Sequence, residues 1–319
     1  MTRHVLAVRS DSTGDVLLTG PALRAIAARA DRVTLLCGPR GEAAGRLLPG
    51  VDRVEVAELP WIDPKPKPVE RDQTLELVQL LADLEPQEAV IFTSWHQSPL
   101  PLALLLRLAG VARICAISSD YPGSLLDLRH RVEDDIHEVE RALSLAEAAG
   151  FPAPDDRRLQ VLAGRLPEPL RGQSGYVAIH PGVSAPERAW PADRFASLVR
   201  LLRSRGHQVV VTGLPEESRL TALVAGEDAL DLGGRTDLAS LAAVLAEARL
   251  VIVANTGPAH LAAAVARPVV SLFAPTVPPV RWRPWLVPQV LLGTPRPLSE
   301  VTPEQVLEAA ESLLLEAVR

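Results

Sequence analysis

The sequence predicts an α/β protein built from two Rossmann-like halves in tandem, each with a doubly wound parallel sheet. Three observations support this prediction. The chain has 319 residues, which suits two domains of about 150 residues each. Short apolar runs alternate with helical stretches, a pattern typical of parallel strands covered on both faces. The alternation breaks over residues 151–175, where prolines and glycines cluster and a domain boundary is expected.

The first half opens with an apolar run at residues 4–8, which predicts a strand. Pro21 lies in the first turn of a predicted helix at 21–30, where a missing amide donor costs nothing. The other predicted strands of this half are 33–37, 52–56, 88–92 and 112–116, and the other predicted helices are 41–48, 70–84, 99–109 and 133–149.

The second half repeats the pattern. Its predicted strands are 176–180, 208–212, a short one near 230, 249–253 and 268–272, and its predicted helices are 192–205, 216–225, 237–247 and 257–266. Thr302 is positioned to cap a last helix that begins at Pro303 and runs to about Ala317. The predicted domains are residues 1–165 and 166–319, with the helix at about 303–319 as a candidate to pack back on the first domain.

Composition excludes several classes of protein. The net charge of −6 argues against a nucleic-acid binder, which needs a basic face to neutralise phosphates. Cys37 and Cys115 lie in or beside apolar runs, so we expect buried core thiols and not a metal or redox centre. There is no signal peptide and no apolar run long enough to span a membrane. We therefore expect a cytoplasmic protein, with peripheral contact at the inner face of the cell membrane left open.

The first turn that can carry chemistry follows the strand at 4–8, because ligands of doubly wound sheets bind at the carboxyl ends of strands. Gly14 allows a tight turn, and Ser12 and Thr13 offer hydroxyls and amides at the start of a helix, a natural anion site. Asp15 is either a carboxylate held over the site or a helix cap, and the spacing does not choose between them. The turn lacks the three spaced glycines of a dinucleotide fingerprint.

A second such turn spans residues 180–191 and follows the first strand of the second half. Ser184 offers a hydroxyl and Arg188 a charged fork, and both suit a phosphate oxygen. We expect Trp190 to pack under the next helix instead.

A third turn joins an apolar strand ending at Val253 to a helix of small residues. The amides of Thr256 and Gly257 are free to point at an anion, and Pro258 starts the helix without wasting a donor. His260 lies in the first helical turn, where it can add a donor.

Together these motifs resemble glycosyltransferase family 9, the family of ADP-heptose:lipopolysaccharide heptosyltransferases. The resemblance covers nearly the whole chain, in the family's order, and each motif alone is weak. The motifs are Ser-Asp-Ser-Thr-Gly-Asp (10–15), His-Pro-Gly with Arg-Ala-Trp-Pro (180–191), Thr-Gly followed by Glu216-Glu217 (212–217), Leu-Gly-Gly-Arg-Thr (232–236), Asn-Thr-Gly-Pro-Ala-His (255–260) and Leu-Phe-Ala-Pro-Thr (272–276).

The resemblance implies a GT-B fold, with two Rossmann-like domains and an interdomain cleft. The C-terminal domain would bind a nucleotide sugar, ADP-heptose-like, and the N-terminal domain an acceptor, which is a saccharide, a lipid-linked saccharide or a small metabolite. It also implies an inverting enzyme that needs no metal or cofactor, and the sequence has no Asp-x-Asp triplet.

The resemblance also assigns residue roles. Asp15 matches the family's catalytic aspartate, and Ser12 and Thr13 match its early hydroxyl positions. Arg188 stands where the family has a phosphate-binding lysine, with Ser184 before it. The acidic nucleotide-binding residue falls at Glu216 or Glu217.

One departure concerns the donor sugar, because many heptosyltransferases have aspartate where this chain has Asn255. The family's basic acceptor-binding residues have no clear counterparts here. Lys65, Lys67 and Arg71 are weak candidates, more typical of a solvated loop, and Trp95, His96 and His137 are acceptor-side candidates for which structural roles are favoured. Two alternatives stay open: a nucleotide-sugar epimerase on the same fold, and a non-catalytic nucleotide-binding module.

Overall fold

The computed structural model describes residues 3–63 and 65–316 of the chain. The chain forms two compact units, Met1–Arg157 and Arg158–Arg319, which divide within the proline-rich segment 151–175. Both units are α/β, and each contains one six-stranded parallel sheet.

The sheet of the first unit has the strand order β3-β2-β1-β4-β5-β6. Its strands are β1 (His4–Arg9), β2 (Arg32–Cys37), β3 (Arg53–Val56), β4 (Glu88–Ile91), β5 (Arg113–Ile117) and β6 (Leu128–His130). Five of these strands were predicted. The sixth, β6, was missed because it has only three half-buried residues and no apolar run.

The helices of the first unit are α1 (Thr13–Leu18), α2 (Gly20–Ala27), α3 (Glu42–Gly45), α4 (Arg71–Asp83), α5 (Leu100–Leu108) and α6 (Glu138–Ala148). The helix start expected around Asp15 is that of the short helix α1, and the helix expected at 21–30 is the separate helix α2. The prediction began α6 too early, at 133. The ring of His137 accepts a hydrogen bond from the amide of Val139, and this cap fixes the start of α6.

The core of the first unit explains why these segments fold as they do. Leu6 and Val8 of β1 and Ile91 of β4 lie on one face of the sheet, against Leu81 of α4 and Leu106 of α5. Burying each such side chain contributes about 1.5–3 kcal/mol. Both cysteines are free and buried, as predicted, and burial raises the pKa of Cys37 to about 11 and that of Cys115 to about 12.

The sheet of the second unit has the order β12-β11-β10-β7-β8-β9. Its strands are β7 (Val177–His180), β8 (Val209–Val211), β9 (Leu230–Asp231), β10 (Leu250–Ala254), β11 (Val269–Phe273) and β12 (Gln289–Gly293). The edge strand β12 was not predicted, although its Val-Leu-Leu core is an apolar run that could have revealed it.

The helices of the second unit are α7 (Ala192–Ser204), α8 (Ser218–Ala225), α9 (Leu238–Glu247), α10 (Gly257–Ala264), α11 (Pro279–Trp282) and α12 (Pro303–Glu316). Trp190 packs edge-on against Phe195 of α7 at 4.7 Å between ring centroids, as predicted. Leu313 and Leu314 of α12 are buried in the same core as Phe195. The apolar face of this last helix therefore packs in the core of the second unit. Its predicted end at Ala317 lies outside the described residues.

Within the described residues, no helix is both long enough and apolar enough to cross a membrane.

Candidate functional site

Each sheet contains one place where the chain changes its direction of winding. In the first unit this switch point lies between β1 and β4, and in the second unit between β7 and β10. Loops that leave adjacent strands there run to opposite faces of the sheet and open a crevice at the carboxyl ends, where ligands of such sheets bind. The candidate residues after β1, β7 and β10 all follow strands that border these two points.

In the first unit, both carboxylate oxygens of Asp15 are held. The hydroxyl of Ser12 donates to Oδ2 of Asp15 at 2.6 Å, and the Ser12 amide reaches the same oxygen at 3.3 Å. Nη2 of Arg9 donates to Oδ1 at 3.1 Å. The side chain of Asp15 stays 19% exposed, so it remains within reach of a substrate. Asp15 thus caps α1 and also belongs to an ion pair, so the two interpretations of its turn are compatible.

The rest of the predicted turn makes contacts within the fold. Gly14 is buried in α1, and the hydroxyl of Thr13 donates to the carbonyl of Arg40 at 2.8 Å. These contacts hold the turn around Asp15, and the anion site expected from its sequence stays a prediction.

Arg9 is the residue around which this site is built, and the sequence reasoning missed it. Its side chain is 3% exposed and lies beside three carboxylates. Nε is 2.9 Å from Oδ2 of Asp11, and Nη2 is 3.4 Å from Oε2 of Glu138. Nη2 also donates to the hydroxyl of Ser94, at the end of β4, at 2.9 Å. A charged residue that ends an otherwise apolar strand was the one sequence feature that could have revealed it.

Burial and charge act in opposite directions on this cluster. Burial alone would lower the pKa of Arg9, but Asp11, Asp15 and Glu138 together raise it above its usual value. Burial raises the pKa of Glu138, and the positive charges of Arg9 and Arg141 only partly oppose this. The cluster is therefore a fixed arrangement of charges that opens to solvent mainly at Asp15.

The acceptor-side candidates are distributed over separate parts of the first unit. Trp95 is 53% exposed and meets His96 edge-on, at 5.5 Å between ring centroids. His137 is buried as the cap of α6. Three basic candidates are exposed in or near the loop before α4, and two of them face carboxylates: Lys67 pairs with Glu58, Arg71 lies beside Asp72, and the Lys65 amide donates to Asp63.

In the second unit, Asn255 ends β10 with a buried amide that lacks a partner. Its backbone amide donates to the carbonyl of Leu272 at 3.0 Å, which continues the pairing of β10 with β11. The residue is 3% exposed, yet Nδ2 finds no hydrogen-bond partner among the residues that the structure describes. A buried donor without a partner costs about 1–3 kcal/mol, so Nδ2 of Asn255 is a candidate to donate to a ligand or to a bound water.

The start of α10 follows directly. Thr256 is the N-cap in an extended conformation, Gly257 and Pro258 form the first turn, and all three are half-buried. The free amides of this turn and the helix dipole favour an anion by about 0.3–1 kcal/mol. His260 lies one turn further in and is 4% exposed.

Arg188 lies in the loop that leaves β7, on the other side of the switch point from Asn255. Its guanidinium makes no ion pair or side-chain hydrogen bond with any part of the chain that the structure covers, and its Nε is buried. Ser184, four residues earlier, is exposed. An arginine without an ion pair can bind a phosphate without first breaking a salt bridge.

The structure separates the two glutamates that the sequence could not. Glu216 is exposed, whereas the carboxylate of Glu217 accepts a hydrogen bond from the Leu214 amide at 2.8 Å and packs at the strand ends. It lies so close to the backbone that a Cβ at Gly182 would collide with it. Its Oε2 is 3.8 Å from Nε2 of His180, but burial dominates and lowers the pKa of His180 to about 4. Of the two, Glu217 is the one whose carboxylate is held at the strand ends.

Within residues 3–63 and 65–316, no group of three or more His, Cys, Asp or Glu side chains is placed to hold a metal ion. The carboxylates of the first unit converge on Arg9 instead.

Comparison with known proteins decides the family. The profile of glycosyltransferase family 9 (heptosyltransferase) matches residues 98–309. The chain belongs to glycosyltransferase family 9. The matched segment includes every donor-side candidate from Ser184 to His260, but it does not include Asp15.

Among curated proteins, this family 9 chain is 35% identical over 116 residues to lipopolysaccharide heptosyltransferase 3 of Escherichia coli K12, covering 34% of this chain and 33% of that protein. It is 30% identical over 154 residues to lipopolysaccharide heptosyltransferase 1 of Salmonella typhimurium, covering 47% and 49%. The chain thus aligns with between a third and a half of the length of these relatives.

Solved structures agree along the whole chain. A family 9 glycosyltransferase from Veillonella parvula matches with a TM-score of 0.80 at 19% identity, covering 98% of this chain and 97% of that one. An E. coli heptosyltransferase solved with ADP matches with a TM-score of 0.78 at 20% identity, covering 97% and 99%. At these identities the likeness concerns the fold, and it confirms the predicted pair of Rossmann-like units of the GT-B type.

Proposed function

We propose that this protein is an inverting, metal-independent glycosyltransferase that moves a heptose-like sugar from an ADP-linked donor to a hydroxyl of a glycan or metabolite. The observation that carries the proposal is that Asn255, with an unpartnered amide, and Arg188, without an ion pair, follow the two strands that border the switch point of the second sheet. A diphosphate joined to a sugar offers both the anion and the hydroxyl acceptors that these two groups lack. Family membership and the ADP in a structural relative favour a nucleotide sugar as the ligand.

In the proposed reaction, the acceptor oxygen forms a bond to the anomeric carbon while its proton passes to Asp15. The bond between the anomeric carbon and the diphosphate oxygen breaks, and the nucleoside diphosphate leaves with the electron pair. Arg188, Ser184, the amides at 256–257 and His260 stabilise its developing charge, a contribution usually larger than that of the base. Glu217 is assigned to the nucleotide, since its carboxylate lies at the strand ends.

The donor is tested by thermal shift with ADP-, GDP-, UDP- and dTDP-sugars. A ligand that binds only the folded chain raises its stability by about 2.7 kcal/mol at a concentration of 100 Kd. We expect the ADP-sugar to stabilise the protein most. Arg188→Ala should lose that stabilisation, whereas Arg200→Ala, an exposed arginine of the same unit, should keep it. If no nucleotide sugar stabilises the chain, the proposal is wrong.

The reaction class is tested by incubating the stabilising donor with and without candidate acceptors, which should be a monosaccharide, a lipid-linked saccharide and a hydroxylated metabolite. Transfer in the presence of EDTA, with NMR of the product anomer, would support an inverting and metal-independent enzyme. Conversion of the donor sugar without any acceptor would instead identify an epimerase.

A further inference from the structure

Behind Asp15 lies a buried carboxylate to which the proposed reaction assigns no role. Glu138 stands in the first turn of α6, and its side chain is 2% exposed. Both Nη1 and Nη2 of Arg9 approach its Oε2 at 3.4 Å. A buried carboxylate is costly unless it is paired, so its presence in this position calls for a physical reason.

Glu138 and Asp15 share one cation. Nη2 of Arg9 reaches both Oδ1 of Asp15, at 3.1 Å, and Oε2 of Glu138. The two carboxylates come from chain segments far apart in sequence, and their negative charges act on each other across the guanidinium. Any change in the charge of one must therefore change the protonation of the other.

Three charged groups act on Glu138 from the surrounding elements. They are Arg9 of β1, Asp15 of α1 and Arg141 of α6 itself. The other charged or titratable side chains on elements packed against α6 have partners of their own: Arg24 of α2 with the Asp156 carbonyl, Arg113 of β5 with Glu88, Arg129 of β6 with the Ser118 carbonyl, and His130 of β6 with Ser144.

We propose that Glu138 is a positioning residue for Asp15. Because both carboxylates contact the same guanidinium, Glu138 holds Arg9 in place and reduces the effect of its positive charge on Asp15. The proposal rests on the proposed role of Asp15 as the base. An arginine beside a carboxylate favours the ionised form and so weakens the carboxylate as a base. A second carboxylate on the same guanidinium offsets this effect. After Asp15 has taken the proton, Glu138 and Asp11 still compensate the charge of Arg9.

The test is the pH dependence of kcat/KM in Glu138→Gln, which keeps the shape of the side chain and removes its charge. With one negative charge fewer, the protonated state of Asp15 is less favoured. The acidic limb of the profile should therefore move to lower pH by about one unit. The plateau of kcat should fall a few-fold because the base is weaker, while the Kd of the ADP-sugar stays unchanged.

Glu140→Gln is the matched control, since Glu140 lies two residues further along α6 and is exposed. Its profile should coincide with that of the wild type. If Glu138→Gln is folded by circular dichroism and its acidic limb also coincides with that of the wild type, the proposal is overturned. Wild-type turnover in Asp15→Asn would instead overturn the role of Asp15 itself, so the two failures are distinguishable.

A reciprocal measurement covers the case in which Glu138→Gln does not fold. Coupling between two sites is equal in both directions. In protein labelled with ¹³C-carboxyl glutamate, the Glu138 signal is assigned by its loss in Glu138→Asp. In Asp15→Asn its titration midpoint should move to lower pH by about one unit. An unchanged midpoint would overturn the proposal without any activity measurement.

Discussion

Each unit has an arginine at or after the end of its first strand, and the two arginines differ in their electrostatic surroundings. Arg9 ends β1 and is enclosed by Asp11, Asp15 and Glu138, with 3% of its side chain exposed. Arg188 follows β7 and pairs with no other residue in the described part of the chain. Arg9 lies beside three carboxylates, whereas Arg188 has no ion-pair partner among the described residues.

The difference separates two uses of the same fold position. In the first unit both carboxylate oxygens of Asp15 are held by Arg9 and Ser12, so its geometry is set before any ligand arrives. In the second unit Nδ2 of Asn255 and the guanidinium of Arg188 have no protein partner among the described residues and are available to a ligand. Preorganised groups suit chemistry, because they need no rearrangement during the reaction. Unpaired groups suit binding, because no internal bond must be broken first.

The largest expected effect tests the first half of this comparison. Asp15→Asn removes the proposed proton acceptor and should lower turnover by about 10²–10⁴. The Kd of the donor should change little, since no donor-binding group is altered. Steady-state kinetics and calorimetry measure the two quantities, with Asp72→Asn on exposed α4 as the control. A large loss of donor affinity with normal turnover would reverse the assignment.

The next prediction compares the two arginines directly. Arg9→Met leaves Asp11 and Glu138 buried without their cation and should lower the free energy of unfolding by about 3–5 kcal/mol. Arg188→Met leaves no buried carboxylate unpaired and should change it by less than about 0.5 kcal/mol. Urea denaturation followed by circular dichroism measures both. If both variants lose the same free energy of unfolding, the ion pairs of Arg9 do not contribute to stability as proposed.

Acid should change the stability contributions of His180 and Glu138 with opposite signs. His180 has a folded pKa of about 4, below its unfolded value, so the stability it supports is present above pH 6.5 and is lost as the pH falls towards 4. By pH 5 the loss should be about 2 kcal/mol. The raised pKa of Glu138 has the opposite effect on stability. As the pH falls, this carboxylate takes up a proton, and the cost of burying its negative charge is removed. Denaturation at pH 7 and pH 5 should show a smaller loss in His180→Gln than in the wild type and a larger loss in Glu138→Gln; identical losses in all three proteins would contradict this.

The smallest effect concerns the donor turn. Asn255 is the only asparagine of the chain, so labelling asparagine with ¹⁵N at Nδ2 gives one side-chain amide signal. That signal should shift when the ADP-sugar binds. Asn255→Leu, which keeps about the same size and removes the amide donor, should weaken binding about tenfold, or about 1.4 kcal/mol. If the chemical shift of this signal does not change when the ligand is added, Asn255 does not belong to the donor site.

The sequence predicted the donor turn of the second unit better than it predicted the short elements at the sheet edges. The donor turn was predicted because its residues are consecutive: a strand, an asparagine and a helix start follow one another over 250–264. The edge strand β6 was missed because three half-buried residues carry no clear periodicity, whereas β12 was not predicted although it contains an apolar run. The role of Asp15 as a base remains a prediction.

The sequence by itself determined the two α/β halves, their buried cysteines and the positions of the strand-end turns, since these depend on local apolar patterns and on helix starts. Only the tertiary structure decided which groups meet at those turns. Glu138 lies 129 residues from Arg9, and Ser94 lies 85 residues from it, yet both reach its guanidinium. Such contacts depend on the strand order that brings β1 beside β4 and on α6 packing against α1 and α2, and no local pattern encodes either.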